Sequence, residues 1–396
     1  MLYLFCSYIF LSMIFNIKKQ NRKILILFDF GFFLYLVIPL IISDLKPEIF
    51  MNVKPIENFY YVNSDKIMGK LSKIIAILFL WNISFKIPFF NDNYKKNNNL
   101  NNLSSNISNK IIYLINFFLL IIVLGITITN YKIFIDKYKY MGNFRSILAT
   151  CINIFFINTI YILVKEKKKY NFQLIIYSGL SLILLVIGSR MYFVMGIVSY
   201  LFYLEQNYKI SKKKVILLAM TTFLVTGYIT LYRAGAKFNL LNLILNNLFE
   251  FLFTGISYIT FITSNEIPYI SMPNQLISAL GTFVPSFLFR TQSNYVSSYI
   301  YFSPFGAKNI FVSLMENFGI IGSIIFLFLG GYIINKCHFS KNFILKTWIY
   351  FIAGAIPFLF FRDPLNTFLY KISFEYSIFV LFLEYIITVF FKKLKF

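Results

Sequence analysis

Six arginines stand against 32 lysines in this 396-residue chain. Five of the six (Arg145, Arg190, Arg233, Arg290 and Arg362) fall on one membrane face by the topology argued below. Lysine would serve for general basicity. Arginine kept at such points suggests forked binding of a phosphate or carboxylate, which its planar donors suit and a point charge does not. Arg190, in IGSRMYF, is pinned in a two-residue turn at the bilayer edge, where Gly188 lets the backbone pack tightly. Arg233, in YRAGAKF, and Arg290 lie near the two ends of one long connection, Tyr232 to Ile310. Arg362, in FFRDPLN, stands beside Asp363, so an ordinary ion pair between those neighbours is the competing reading. Arg145 reads as an anchor to lipid headgroups. The other four have the chemistry to converge on a diphosphate.

Helices in a bilayer must position these side chains. The chain is 58% hydrophobic and only 13% charged, which excludes a water-soluble domain. Apolar runs of about 18 or more residues recur along its length, the signal of spanning helices. The net charge of +23 sits in short turns between them, so it reads as topology signal and not as a nucleic-acid footprint. Cys6, Cys151 and Cys337 are scattered in or beside apolar runs without metal-ligand spacing. The single histidine, His338, falls in a turn on the opposite face. The inventory therefore excludes a histidine catalyst or histidine metal site on the arginine face.

The expected architecture is an all-α polytopic membrane protein, one integral domain over 1–396, with about 11 spans (10–12). The first span is Met1 to Asn16, uncleaved because its positive charges follow the apolar run. The next are Ile24 to Ser43, Ile74 to Phe90, Ile111 to Thr129, Ser146 to Val164, Phe172 to Gly188, Met191 to Leu204 and Val215 to Leu231. The last three are Phe311 to Ile334, Thr347 to Phe361 and Thr367 to Phe391. Asp44 to Lys73 is a mixed-charge connection, and Lys86 snorkels from the inner end of the third span. Residues 91–110 are asparagine-rich and read as a flexible cytoplasmic loop.

Turns starting at Lys18, Asn91, Lys165, Lys209, Asn335 and Lys392 hold 21 Lys and Arg in about 54 residues, whereas the alternate connections hold 15 in about 132. The dense set belongs in the cytoplasm, so the C-terminus is inside and the large loop, 232–310, is outside. Leu240 to Thr263 within that loop is apolar enough to span. The segment after it is poor as a cytoplasmic turn, which favours a helix lying in the outer interface or in a re-entrant hairpin.

Four motifs carry a resemblance. They are GSR (Gly188, Ser189, Arg190) at a tight outer turn, YRAG (Tyr232 to Gly235) opening the large loop, ENFGIIG (Glu316 to Gly322) entering the following span, and FRD (Phe361 to Asp363). The pattern resembles the polytopic polymerases of lipid-linked oligosaccharide repeat units, the O-antigen or capsule polymerase (Wzy) type. The resemblance covers roughly the second half of the chain and the span count. It implies a metal-independent, GT-C-like glycosyltransferase without a cofactor, in the bacterial cytoplasmic (inner) membrane with its active site on the outer face. The growing glycan would move from undecaprenyl diphosphate onto a sugar hydroxyl of the next lipid-linked unit. Membrane lipid and a chain-length regulator are the further partners it implies.

The residues allow that mechanism. A diphosphate leaving group needs positive charge where negative charge develops, and Arg190, Arg233, Arg290 and Arg362 would supply it. Glu316 and Asp363 are the outer carboxylates best placed to take the acceptor proton. The competing reading of Glu316 is a helix N-terminal charge favoured by the macrodipole. Tyr295, Tyr299, Tyr301 and Phe302 could stack on sugar faces, although an aromatic interface belt is the commoner explanation. A ligase transferring finished glycan has nearly the same architecture but relies on a histidine in its large outer loop, which this loop lacks. A flippase or transporter would show more even loops, and often internal repeats or more charge deep in its spans. A purely structural membrane protein is opposed by the arginine placement alone.

Overall fold

A computed structural model of the chain is helical throughout, with no strand among the described residues. It describes residues 1–17, 19, 22–45, 54–90, 107–131, 143–208, 210–234, 238–270, 299, 301–302, 308–375 and 377–393. Long apolar runs become helices because only internal hydrogen bonding satisfies a backbone in hydrocarbon. In chain order they are α1 (Leu2–Ile17), α2 (Lys23–Asp44), α3 (Lys54–Phe90), α4 (Asn109–Thr129), α5 (Asn143–Glu166), α6 (Phe172–Val186) and α7 (Arg190–Asn207). There follow α8 (Lys212–Ala234), α9 (Leu240–Ser264), α10 (Ile310–His338), α11 (Phe343–Phe360), α12 (Leu365–Tyr370) and α13 (Ile378–Lys393).

Among the described residues, eight stretches are long and apolar enough to cross a membrane. They match the second to fifth and the eighth to eleventh expected spans. The first and sixth expected spans are the shorter apolar helices α1 and α6, and the seventh is α7. The expected connection from Asp44 to Lys73 is in fact helical from Lys54, giving α3 its 37 residues. Pro55 falls in its first turn, where a missing N–H interrupts nothing. Of the asparagine-rich stretch, 91–106 lies outside the described residues, and Asn109 and Lys110 already belong to α4.

The chain divides into two compact units. The first is Met1–Tyr94, Leu248–Lys336 and Ile356–Tyr370, and the second is Lys95–Asn247, Cys337–Ala355 and Lys371–Phe396.

The core of the first unit is aromatic. Phe28 stacks on Phe85 with centroids 3.8 Å apart, and buried Trp81 donates its Nε1–H to Ser323 Oγ at 2.8 Å. Within this apolar packing lies an ion pair: Lys86 Nζ is 2.6 Å from Asp29 Oδ1, and both side chains are buried. Ser12 and Asn82 each donate to the Asp29 carboxylate at 2.8 Å. The snorkelling expected of Lys86 is therefore corrected. Its ammonium turns inward because the carboxylate and two donors replace the water it loses, and breaking such a pair costs about 3–5 kcal/mol.

In the second unit α5 is buried almost all round, and α7 packs closely on α11. Glycine is required at 354 because a Cβ there would lie 2.0 Å from Ser199 Oγ and 2.3 Å from the Met195 carbonyl.

Candidate functional site

In the second unit, the GSR motif is a helix C-terminal cap. Gly188 takes φ 80° after α6, which an L side chain rarely adopts. Ser189 N–H then donates to Leu184 O at 2.7 Å and Gly188 N–H to Leu185 O at 3.1 Å, the paired bonds of a Schellman motif. The chain reverses within the turn, and α7 starts at Arg190.

Arg145, in the first turn of α5, grips this turn. Its Nε donates to Ser189 Oγ at 2.9 Å and its Nη2 to Gly188 O at 2.7 Å. The headgroup-anchor reading of Arg145 is thus corrected. Its fork is committed to the turn that carries Arg190, a partnership across 44 residues that no local spacing announces. Arg190 Nη1 in turn donates to Thr230 Oγ1 on α8 at 2.7 Å. Arg233 follows Thr230 by three residues in α8, so its backbone is one turn from that contact.

Two ionisable residues within an apolar span, Lys371 and Glu375, belong to the same neighbourhood. Lys371 Nζ lies 5.6 Å from the centroid of Tyr192, two residues after Arg190. Glu375, one turn beyond Lys371, accepts from Thr150 Oγ1 on α5 at 2.7 Å. The signal that could have found them is the Lys–Glu spacing of four in a run otherwise nearly free of charge.

Arg362, Asp363 and Glu316 lie in the first unit, and Arg290 lies outside the described residues. The expected Arg362–Asp363 pair is replaced by one with Glu250 of α9. Arg362 Nε is 2.9 Å from Glu250 Oε1, an ionic contact without an aligned hydrogen bond to that oxygen. Glu250 was missed, although a lone acid in LLNLILNNLFEFLFTG is the kind of residue an apolar helix keeps for a partner. Asp363 N–H closes the helix before it on Leu359 O at 2.9 Å, and Pro364 immediately precedes α12, so FRD sits at a helix-to-helix corner. Leu365 N–H donates to Ser313 Oγ at 2.9 Å, tying this corner to the first turn of α10.

ENFGIIG marks a break inside α10. Gly319 adopts φ 68°, ψ −172°, a conformation essentially confined to glycine. A Cβ there would also lie 2.8 Å from backbone atoms of Tyr269 and Ile270. The freed N–H groups of Ile320 and Ile321 donate to Pro268 O and Tyr269 O at 2.9 and 3.1 Å. Glu316 precedes the break and is 2% exposed, in an ion pair with Lys308. It lies beyond the first turn of α10, so the macrodipole does not account for it. Burial pulls the Lys308 pKa down, but Glu316 and the Tyr301 hydroxyl more than offset this and leave it above the ordinary lysine value. Of the loop aromatics, Tyr299 and Tyr301 pack on Phe261, Phe302 is exposed, and Tyr295 lies outside the described residues. Among the described residues no three His, Cys, Asp or Glu side chains gather as a metal site.

With this geometry in place, comparison adds one finding. The model of the family described as O-antigen polysaccharide polymerase Wzy matches residues 1–292. No curated protein and no solved structure matches the chain. The match starts at the first residue, whereas the sequence resemblance rested on the second half. GSR and YRAG fall inside the matched stretch with Arg145, and ENFGIIG and FRD lie beyond its end.

Proposed function

This chain belongs to the O-antigen polysaccharide polymerase Wzy family, and on that premise we propose how it joins lipid-linked repeat units. The growing glycan is carried on undecaprenyl diphosphate, and its anomeric carbon–oxygen bond to the diphosphate breaks. A new bond forms between that carbon and a sugar hydroxyl of the next lipid-linked unit. The hydroxyl proton passes to a carboxylate, and the lipid diphosphate leaves. The chemistry takes place on the outer face of the bacterial inner membrane, on a GT-C-like scaffold.

The observation that carries this reading is the arginine-built turn. Arg145 fixes Gly188 and Ser189, and Arg190 is braced on the helix that leads to Arg233. A pre-aimed guanidinium needs no reorganisation when charge develops on a leaving diphosphate, and this is where electrostatic catalysis is strongest. We assign Arg190 and Arg233 to the diphosphate, with Arg290 and Arg362 as further ligands, and Arg145 as the residue that positions the turn. Because arginines carry the charge, the reaction is metal-independent and proceeds in a chelator. Glu316 and Asp363 are candidates for the proton acceptor. Glu316 must first loosen its pair with Lys308, whereas Glu375 shares a unit with the arginine turn. A chain-length regulator acts alongside.

The test is genetic. Cells lacking the protein should export and attach single repeat units, and the chain restored on a plasmid should return the polymer ladder. Lipid-linked units trapped on the inner leaflet would instead identify a flippase.

A further inference from the structure

A cavity of about 210 Å³ lies in the second unit between α4 and α6, with Phe155 of α5 behind it. Its volume equals that of about seven liquid waters, enough for a polar headgroup but not for a whole lipid. One wall is apolar and opens outward: Phe117 and Phe172 are 58% and 74% exposed, and Leu120 and Ile176 continue that wall. The polar part consists of Asn116 and Gln173, both buried and hydrogen-bonded to each other, and Asn171.

Asn171 points to a ligand. Its Oδ1 caps α6 by accepting from Leu174 N–H at 2.9 Å, while its Nδ2 is buried with no acceptor. A buried donor without a partner is costly, and an oxygen-bearing ligand in the cavity would satisfy it. The rim supplies the sign of that ligand. Lys168 is exposed and within electrostatic reach of Tyr113, which lines the cavity, and Lys110 is exposed one turn before Tyr113 on α4. The carboxylate described at this rim, Glu166, is already engaged by Lys168 at 3.0 Å and by Asn109 at 2.8 Å.

A ligand that offers phosphate and hydroxyl oxygens to a lysine rim and an amide, and an apolar tail to an aromatic wall, is an anionic glycerophospholipid. We propose that this cavity is a binding site for one such lipid, distinct from the arginine turn and its diphosphate. The phosphate meets the lysine rim and the Asn171 amide, and one acyl chain runs along Phe117, Leu120 and Ile176. Basic pockets between spanning helices recognise anionic headgroups in this way.

The full chain is purified in mild detergent, and lipid retention is read by native mass spectrometry after exchange into phosphatidylglycerol or phosphatidylcholine. Wild type should hold phosphatidylglycerol several-fold better than phosphatidylcholine. Leu120→Trp fills the cavity and should reduce phosphatidylglycerol to the phosphatidylcholine level. Asn171→Ser keeps a capping oxygen but removes the orphan amide nitrogen, and should weaken phosphatidylglycerol retention several-fold. Leu124→Trp, one turn along the exposed face of α4 and outside the cavity, should retain lipid as wild type does. Equal retention of the two lipids by wild type would overturn the proposal. So would undiminished phosphatidylglycerol on both Leu120→Trp and Asn171→Ser, with Asn171→Ser alone deciding if the tryptophan variant fails to accumulate. A bound polyisoprenyl lipid that Asn171→Ser or Leu120→Trp removes would also overturn it, because the cavity would then belong to the substrate.

Discussion

The turn at Arg190 and the corner at Arg362 each present one arginine, but their contacts differ in kind. Arg190 is braced by the Thr230 hydroxyl, a contact that orients a guanidinium and leaves its charge intact. Arg362 lies against the Glu250 carboxylate, a contact that cancels charge. The backbones differ as well. Gly188 and a second arginine, Arg145, hold the first turn rigid, whereas Asp363 and Pro364 at the second are an ordinary end and restart of a helix. A leaving diphosphate is stabilised by charge already aimed at it. On that criterion the Thr230 contact aims Arg190 without cancelling its charge, and in the proposed site Arg362 would have to exchange Glu250 for phosphate oxygen.

Substitutions can break or sharpen this contrast. The largest effect is expected from Arg190→Lys, which keeps charge but loses the fork. About 3 kcal/mol of transition-state stabilisation should go, on the order of 100-fold in rate, read as shortened glycan ladders at normal membrane abundance. Arg145→Lys cannot hold both the Ser189 hydroxyl and the Gly188 carbonyl. It should lower kcat by roughly 10-fold with KM nearly unchanged, since misplacing an aimed group weakens only the transition state. An unchanged kcat would return Arg145 to the headgroup role. Arg362→Lys can still pair with Glu250 and should cost only about 3-fold, a fraction of a full charge-assisted contact. A larger loss there than at Arg190 would reverse the comparison.

Two further outcomes concern stability. Gly319→Ala should lower membrane abundance more than Gly188→Ala. Both meet strain of about 1–3 kcal/mol from positive φ, and Gly319 also abuts backbone at 2.8 Å. The smallest effect is a pH effect. A lysine whose folded pKa is raised stabilises the fold below its ordinary value, and that stability is lost only as pH rises through the folded pKa. Between about pH 6 and 9 the Lys308–Glu316 pair should therefore stay intact, and thermal stability measured across that window should show no step from Lys308.

Eight of the expected spans were legible in the sequence because hydropathy decides which segments a bilayer tolerates. The length of α3 was not, because its first half is polar and continues the helix beyond the apolar run. Arg190 and Gly188 were legible as a tight turn from their local spacing. What the sequence hides is partnership across helices. Nothing local ties Lys86 to Asp29, Arg145 to Ser189 or Arg362 to Glu250, because residue type announces a need for a partner but not its address. The break at Gly319 was hidden for a different reason. Glycine is common within spanning helices, and only the backbone angles distinguish a packing glycine from a chain break.

The central claim is that an arginine turn drives departure of a lipid diphosphate as repeat units are joined. It is tested most directly by supplying purified protein with lipid-linked repeat units in a chelator and measuring released lipid diphosphate beside polymer length. Wild type should release one lipid diphosphate for every unit added, and Arg190→Lys should do so about 100-fold more slowly at equal protein. Arg190→Lys turning over at the wild-type rate would contradict the account, as would polymer growth without diphosphate release.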